Sequence, residues 1–165
     1  MTAPGGRLDL IVGARHVSDG LDEAMVRRKL LSAGVIDDAL MAGPRAREVV
    51  EGGFARLRIE IGPGRLYSWG QGGFRVRCPR NEVSVVADFH LAVRRARGGA
   101  VPSLQCSSCG EVHGLNDLSF APPALWTERA VIFVDVQTPR LTGWGRNVMS
   151  DVFGAIHEVP HRPTR

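Results

Sequence analysis

From Phe54 onward the apolar residues recur at every second position. Leu57, Ile59 and Ile61 fall on one side and Arg56, Arg58 and Glu60 on the other, whereas the flanking segments repeat every three or four residues. A period of two is that of a half-buried strand, and a period of about 3.6 is that of an amphipathic helix. A chain that uses both in blocks is expected to fold as an α+β protein, an antiparallel sheet packed with helices. With 165 residues the expected organisation is one domain over 1–165, a helical N-terminal part over 1–53 followed by a sheet and long helix over 54–165.

The elements read as follows. Leu8 to Val12 is a short buried strand, and Ser18 or Asp19 can cap a helix whose Leu21, Met25, Leu30 and Leu31 lead to a stop at Gly34. Gly34 suits the left-handed conformation, with Val35 and Ile36 folding back on the last turn. Ala39 to Met41 suggests a turn of helix, and Pro44 the first position of another that runs through Val49 and Val50 to Gly52. After the Phe54 strand, Gly62-Pro63-Gly64 reads as a turn, Leu66 to Trp69 as a second strand, and Phe74, Val76 and Cys78 as the inward side of a third. These three form an antiparallel meander with one wet, arginine-bearing face. A helix over Glu82 to Arg97 carries Val83, Val86, Phe89, Val93 and Ala96 on one stripe, and Arg94, Arg95 and Arg97 complement its C-terminal dipole. Asp117 to Phe120 is a brief extended stretch. Ala130 to Val136 is a central strand, and Trp144, Val148, Val152 and Ile156 mark a last helix before a Pro- and His-rich tail from His157 to Arg165.

The net charge of +4 is unevenly spread, since residues 54–97 hold nine basic and three acidic side chains. All but one of the 21 basic residues are arginine, Lys29 being the exception, a bias expected of a GC-rich coding background as much as of a task. The first fifteen residues lack the basic start and apolar run of a secretory signal, and no apolar stretch approaches the length of about eighteen residues that a membrane span needs. A cytoplasmic location is expected. Three cysteines, an odd number, point away from a disulfide framework and towards metal or redox chemistry.

Cys106-Ser107-Ser108-Cys109-Gly110 is the spacing with the sharpest chemical meaning: two thiolates two residues apart can chelate one ion from a tight turn, and the glycine lets the backbone reverse. It resembles a zinc knuckle. Upstream, Cys78-Pro79-Arg80-Asn81 is similar to the knuckles of zinc ribbons and rubredoxin-like modules, with Asn81 in the place of the fourth cysteine; the resemblance covers residues 78–113. It implies bound zinc as cofactor, held by Cys78, Cys106 and Cys109, with His113 as the nearest imidazole to complete the set and His90 the second. Two other readings stand beside it. Asn81 is well placed to cap the Glu82 helix, leaving Cys78 a plain buried thiol in a ribbon that has lost its metal. Alternatively, Cys106 and Cys109 form a redox pair, although that use normally follows a strand at a helix start. Glu111 stands near as a proton carrier, but the zinc deaminase pattern of His-x-Glu upstream of Pro-Cys-x-x-Cys is missing.

The glycine-rich loops lack the lysine and following helix of a phosphate loop, Asp88 and His90 diverge on their helix, and no serine sits in a nucleophile elbow. A non-enzymatic role is therefore expected. The chain looks by type like a small bacterial immunity or adaptor protein, which implies a protein partner, such as a toxin that it neutralises. Arg56, Arg58, Tyr67, Trp69, Arg75 and Arg77 are the expected partner-binding residues. The alternative is a zinc-ribbon protein that binds nucleic acid through the same basic face, with Tyr67 and Trp69 stacking bases or, as in most proteins, packing a core.

Overall fold

The computed structural model describes residues 7–16 and 20–164. In chain order the elements are β1 (Asp9–Ala14), α1 (Glu23–Ser32), α2 (Ala46–Val49), β2 (Arg56–Tyr67), β3 (Arg75–Arg77), α3 (Val86–Arg97), β4 (Ser103–Gln105) and β5 (Val112–Gly114). A single 3₁₀ turn (Leu115–Asp117) follows, then β6 (Ser119–Ala121), β7 (Leu125–Val134), α4 (Gly143–Phe153) and β8 (Ile156–His161). The protein is α+β, with a four-stranded antiparallel sheet in the order β2-β7-β1-β8 and two two-stranded ribbons, β3-β6 and β4-β5. Among the described residues no helix is long and apolar enough to cross a membrane.

Alternation along the strands builds two cores on the two sides of the sheet. Leu10, Val12, Leu57, Val131 and Phe133 face α1, α2 and α4 and meet Val26, Leu30, Val49 and Met149. Ile11, Ala130, Ile132, Val134 and Val159 face the other way and are covered by Tyr67 and Leu125. That cover arises because the sheet rolls. The backbone N–H of Arg162, just past β8, donates to the carbonyl of Trp69, just past β2, at 2.9 Å, so the two edge strands approach each other. Gly13 makes the roll possible, since a Cβ there would lie 2.5 Å from Leu125 Cδ2. A third core, Val76, Cys78, Phe89, Val93, Leu104, Cys106, Leu115 and Trp126, fills a small lobe made of α3 and the two ribbons.

Several local readings are corrected by long-range contacts. Gly62-Pro63-Gly64 is no turn: β2 runs through it with a shift in register between Ile61 and Arg65, and the missing Cβ of Gly64 lets Trp126 of β7 pass, since a methyl there would lie 2.7 Å from the indole. The three strands do not form a meander. β2 pairs with β7, and β3 pairs with β6, over forty residues downstream. The α3 helix starts at Val86 rather than Glu82, which leaves Val83 and Val86 exposed, and its buried stripe is Phe89, Ala92 and Val93. The cap of α1 is Asp22, whose carboxylate accepts from the Met25 N–H at 2.7 Å; Ser18 and Asp19 lie outside the described residues. Gly34 does take a positive φ, and the Val35 N–H bonds back to the Leu30 carbonyl. The α4 helix ends at Gly154, also at positive φ, so Ile156 opens β8 instead of closing the helix, and most of the expected tail is an edge strand paired with β1.

Candidate metal centre

The small lobe is built around two turns of the same design. In Cys78–Val83 the Cys78 N–H donates to the Val83 carbonyl and the Glu82 N–H to the Cys78 carbonyl, both at 2.9 Å. In Cys106–Glu111 the Cys106 N–H donates to the Glu111 carbonyl at 2.9 Å and the Gly110 N–H to the Cys106 carbonyl at 2.8 Å. The fifth residue of each turn reverses the chain in the left-handed region, Glu82 at φ 57° and Gly110 at φ 76°. Asn81 and Cys109 therefore occupy equivalent positions. Asn81 is not the cap of α3: its Oδ1 accepts from the Val83 N–H at 3.2 Å and its Nδ2 donates to Ser108 Oγ at 2.9 Å, tying one turn to the other. An ion pair between Arg80 and Glu111 at 3.2 Å makes a second link, which gives Glu111 a structural partner.

These turns bring Cys78, Cys109 and His113 together, with their ligand atoms all within 4.8 Å of one another, a group able to hold a metal ion. Cys78 Sγ lies 3.7 Å from Cys109 Sγ and 3.5 Å from His113 Nε2, and Cys109 Sγ is 3.5 Å from the same nitrogen. His113 belongs to β5 and lies opposite Leu104 of β4, so the hairpin fixes its distance from the turn. Cys106, expected as a further ligand, is fully buried but stands outside that group. Its thiol is held below the ordinary range by the backbone N–H of Cys109 first, against the opposing cost of burial, with help from the Ser108 N–H and the thiols of Cys109 and Cys78. Cys109 is pushed up: the Glu111 N–H pulls its titration down, but burial and the thiols of Cys78 and Cys106 outweigh it. The three thiols are free, with no disulfide among them.

His90 does not join the group. It stands exposed on α3, its ring 5.9 Å from Phe89 and 6.2 Å from Phe74. The arginines expected to share one face are divided. Arg56 and Arg58 project from β2 in the large sheet and Arg75 and Arg77 from β3 in a separate ribbon. Tyr67 is buried, and its hydroxyl donates to Glu60 Oε2 at 2.6 Å. Trp69 is half-buried under the guanidinium of Arg162, 5.6 Å from its ring centre. Asn116, which no sequence pattern singles out, joins the lobe to the sheet. Its Oδ1 accepts from the Trp126 N–H at 2.8 Å, and its Nδ2 donates to the carbonyls of Trp126 at 2.7 Å and Arg15 at 3.2 Å. No family model, no curated protein and no solved structure matches this chain.

Proposed function

We propose that the chain is a non-catalytic binding protein whose small lobe is held by a structural zinc ion on Cys78, Cys106, Cys109 and His113. The observation that carries this reading is the spacing of the donor atoms. Zinc bonds of about 2.3 Å to sulfur and about 2.0 Å to nitrogen, arranged tetrahedrally, put ligand sulfurs about 3.8 Å apart and sulfur and nitrogen about 3.5 Å apart. The distances of 3.7 Å and 3.5 Å fit those edges. The backbone N–H groups aimed at Cys106 and Cys109 are the outer-shell donors that a thiolate set needs. With Cys106 joining Cys78, Cys109 and His113 as the fourth ligand, no position would be left open for water, as in a scaffold and not a reaction centre.

On this reading the metal stiffens a surface that docks on another protein, a toxin neutralised by its immunity protein being one such pair. Elemental analysis tests the metal: about one zinc per chain in the wild type and none in Cys106→Ser supports it, and a metal-free wild type with an unchanged fold overturns it.

A second reading, nucleic-acid binding, is favoured by one observation: Arg56, Arg58, Arg75 and Arg77 have no carboxylate at ion-pair distance among the described residues. Salt separates the two. Phosphate contacts steepen the log–log salt dependence by about −0.9 each, whereas an aromatic- and shape-driven protein interface changes only modestly.

A further inference from the structure

Five of the eight large apolar side chains exposed among the described residues belong to the small lobe: Val83, Val86, Leu91, Val101 and Val112. Exposed apolar surface gathered in one region marks a place where another surface docks. Leu91 and Val112 line a groove of about 290 Å³ between α3 and the β4-β5 hairpin, with Ala92 and Leu104 buried in its floor and Asp88 and Arg95 of α3 as its charged members. The groove shares no residue with Cys78, Cys106, Cys109 and His113, so docking there stands or falls apart from zinc. Asp88, Leu91 and Arg95 follow at steps of three and four, which puts them on one stripe of the helix. At a rise of about 1.5 Å per residue the two charges stand about 10 Å apart along the axis, with Leu91 between them. Neither has an ion-pair partner among the described residues; Asp88 Oδ2 has Ser107 Oγ at 3.5 Å.

A stripe that reads acid, leucine, base is complementary to itself when reversed. Laid antiparallel about a two-fold axis near Leu91, two α3 helices bring Asp88 of each against Arg95 of the other, and each Leu91 onto the apolar wall of the other's groove. The remaining charge of the helix selects the same direction. Asp88 stands in the first turn and Arg94, Arg95 and Arg97 in the last. Antiparallel packing therefore sets each basic end against an acidic start and opposes the helix dipoles, whereas parallel packing would stack arginine on arginine. We propose that a second copy of this chain docks on this groove through α3, forming an isologous dimer with two reciprocal Asp88–Arg95 ion pairs. A partner of another sequence would have to carry the reversed pattern, which the chain itself already supplies.

Sedimentation equilibrium of the intact protein at low salt, from about 1 µM to about 1 mM, is the test. A mass that rises with concentration from one chain towards two supports the dimer, and a monomer over the whole range overturns it. Asp88→Arg and Arg95→Asp each set like charges opposite one another and are expected to weaken the dimer by at least about tenfold. The two changes together restore the pairing in reverse and are expected to return it to within about threefold of the wild type. A dimer that neither single change weakens overturns the proposal, as does a double variant no tighter than the singles. Leu91→Asp is expected to leave a monomer with unchanged helical circular dichroism, and a dimer that survives it forms through another face and overturns the assignment. The concentration dependence of the wild type stands even if a variant does not fold.

Discussion

Asn81 and Cys109 stand at the same step of two matching turns, yet only the cysteine faces the sulfur and imidazole group, while the amide bonds to Val83 and Ser108. His113 of β5 completes the group with Cys78 and Cys109.

That equivalence gives a compensation test. His113→Ala is expected to weaken zinc binding by about tenfold or more, and Asn81→Cys in the His113→Ala background to recover most of it, since the new thiol enters from the equivalent position. Competition against a chromophoric chelator measures both. No recovery in the double variant would show that the first turn cannot present a ligand.

Tyr67 is the only tyrosine, so tyrosinate absorbance reports one site. Burial first, then the bond to Glu60, raises its titration well above the ordinary 10.0. A raised value in the folded state favours the protonated phenol, so its stabilising effect is complete below about pH 10 and is lost as pH rises beyond it. The wild type is expected to lose stability in that alkaline range, with tyrosinate appearing together with unfolding. Tyr67→Phe should abolish that limb; tyrosinate formation in the folded protein near pH 10 would contradict the buried bond.

Gly145 of α4 lies against α2 so closely that a methyl would sit 2.1 Å from the carbonyl oxygen of Val49. Alanine is the better helix former by about 1 kcal/mol. Here the clash is with backbone, which cannot rotate away, and overpacking of this kind costs about 1–3 kcal/mol or more. Gly145→Ala is expected to destabilise, as a lower denaturant midpoint with an unchanged slope.

Asn116→Ala should be more damaging than its half-exposed position implies. It leaves the Trp126 N–H and carbonyl and the Arg15 carbonyl without their partner. At about 1 kcal/mol for each group, a loss of about 2–3 kcal/mol is expected in equilibrium unfolding.

What the sequence revealed follows the range of the interactions involved. The alternation that buries Leu57 and half-buries Ile59, the Gly34 stop and the spacing from Cys109 to His113 are local, and the corresponding elements stand where the pattern puts them, although Ile61, expected on the same inward side, is exposed. Gly62-Pro63-Gly64 carries a local turn signal, but its conformation is decided by Trp126, more than sixty residues away. Asn81 carries a local cap signal that yields to a turn whose other half is Ser108. The segment from His157 has few apolar residues, and only pairing with β1 makes it a strand. Arg15 and Asn116 come from distant stretches, so no spacing rule could have joined them.

The position of β1 carries a consequence for biogenesis. Its two hydrogen-bonding neighbours, β7 and β8, lie more than a hundred residues downstream, so this wholly buried strand emerges from the ribosome long before either exists. Such high contact order makes productive folding slow and leaves a sticky apolar segment waiting. Until β7 and β8 have been made, the edges of β1 have no strand to pair with.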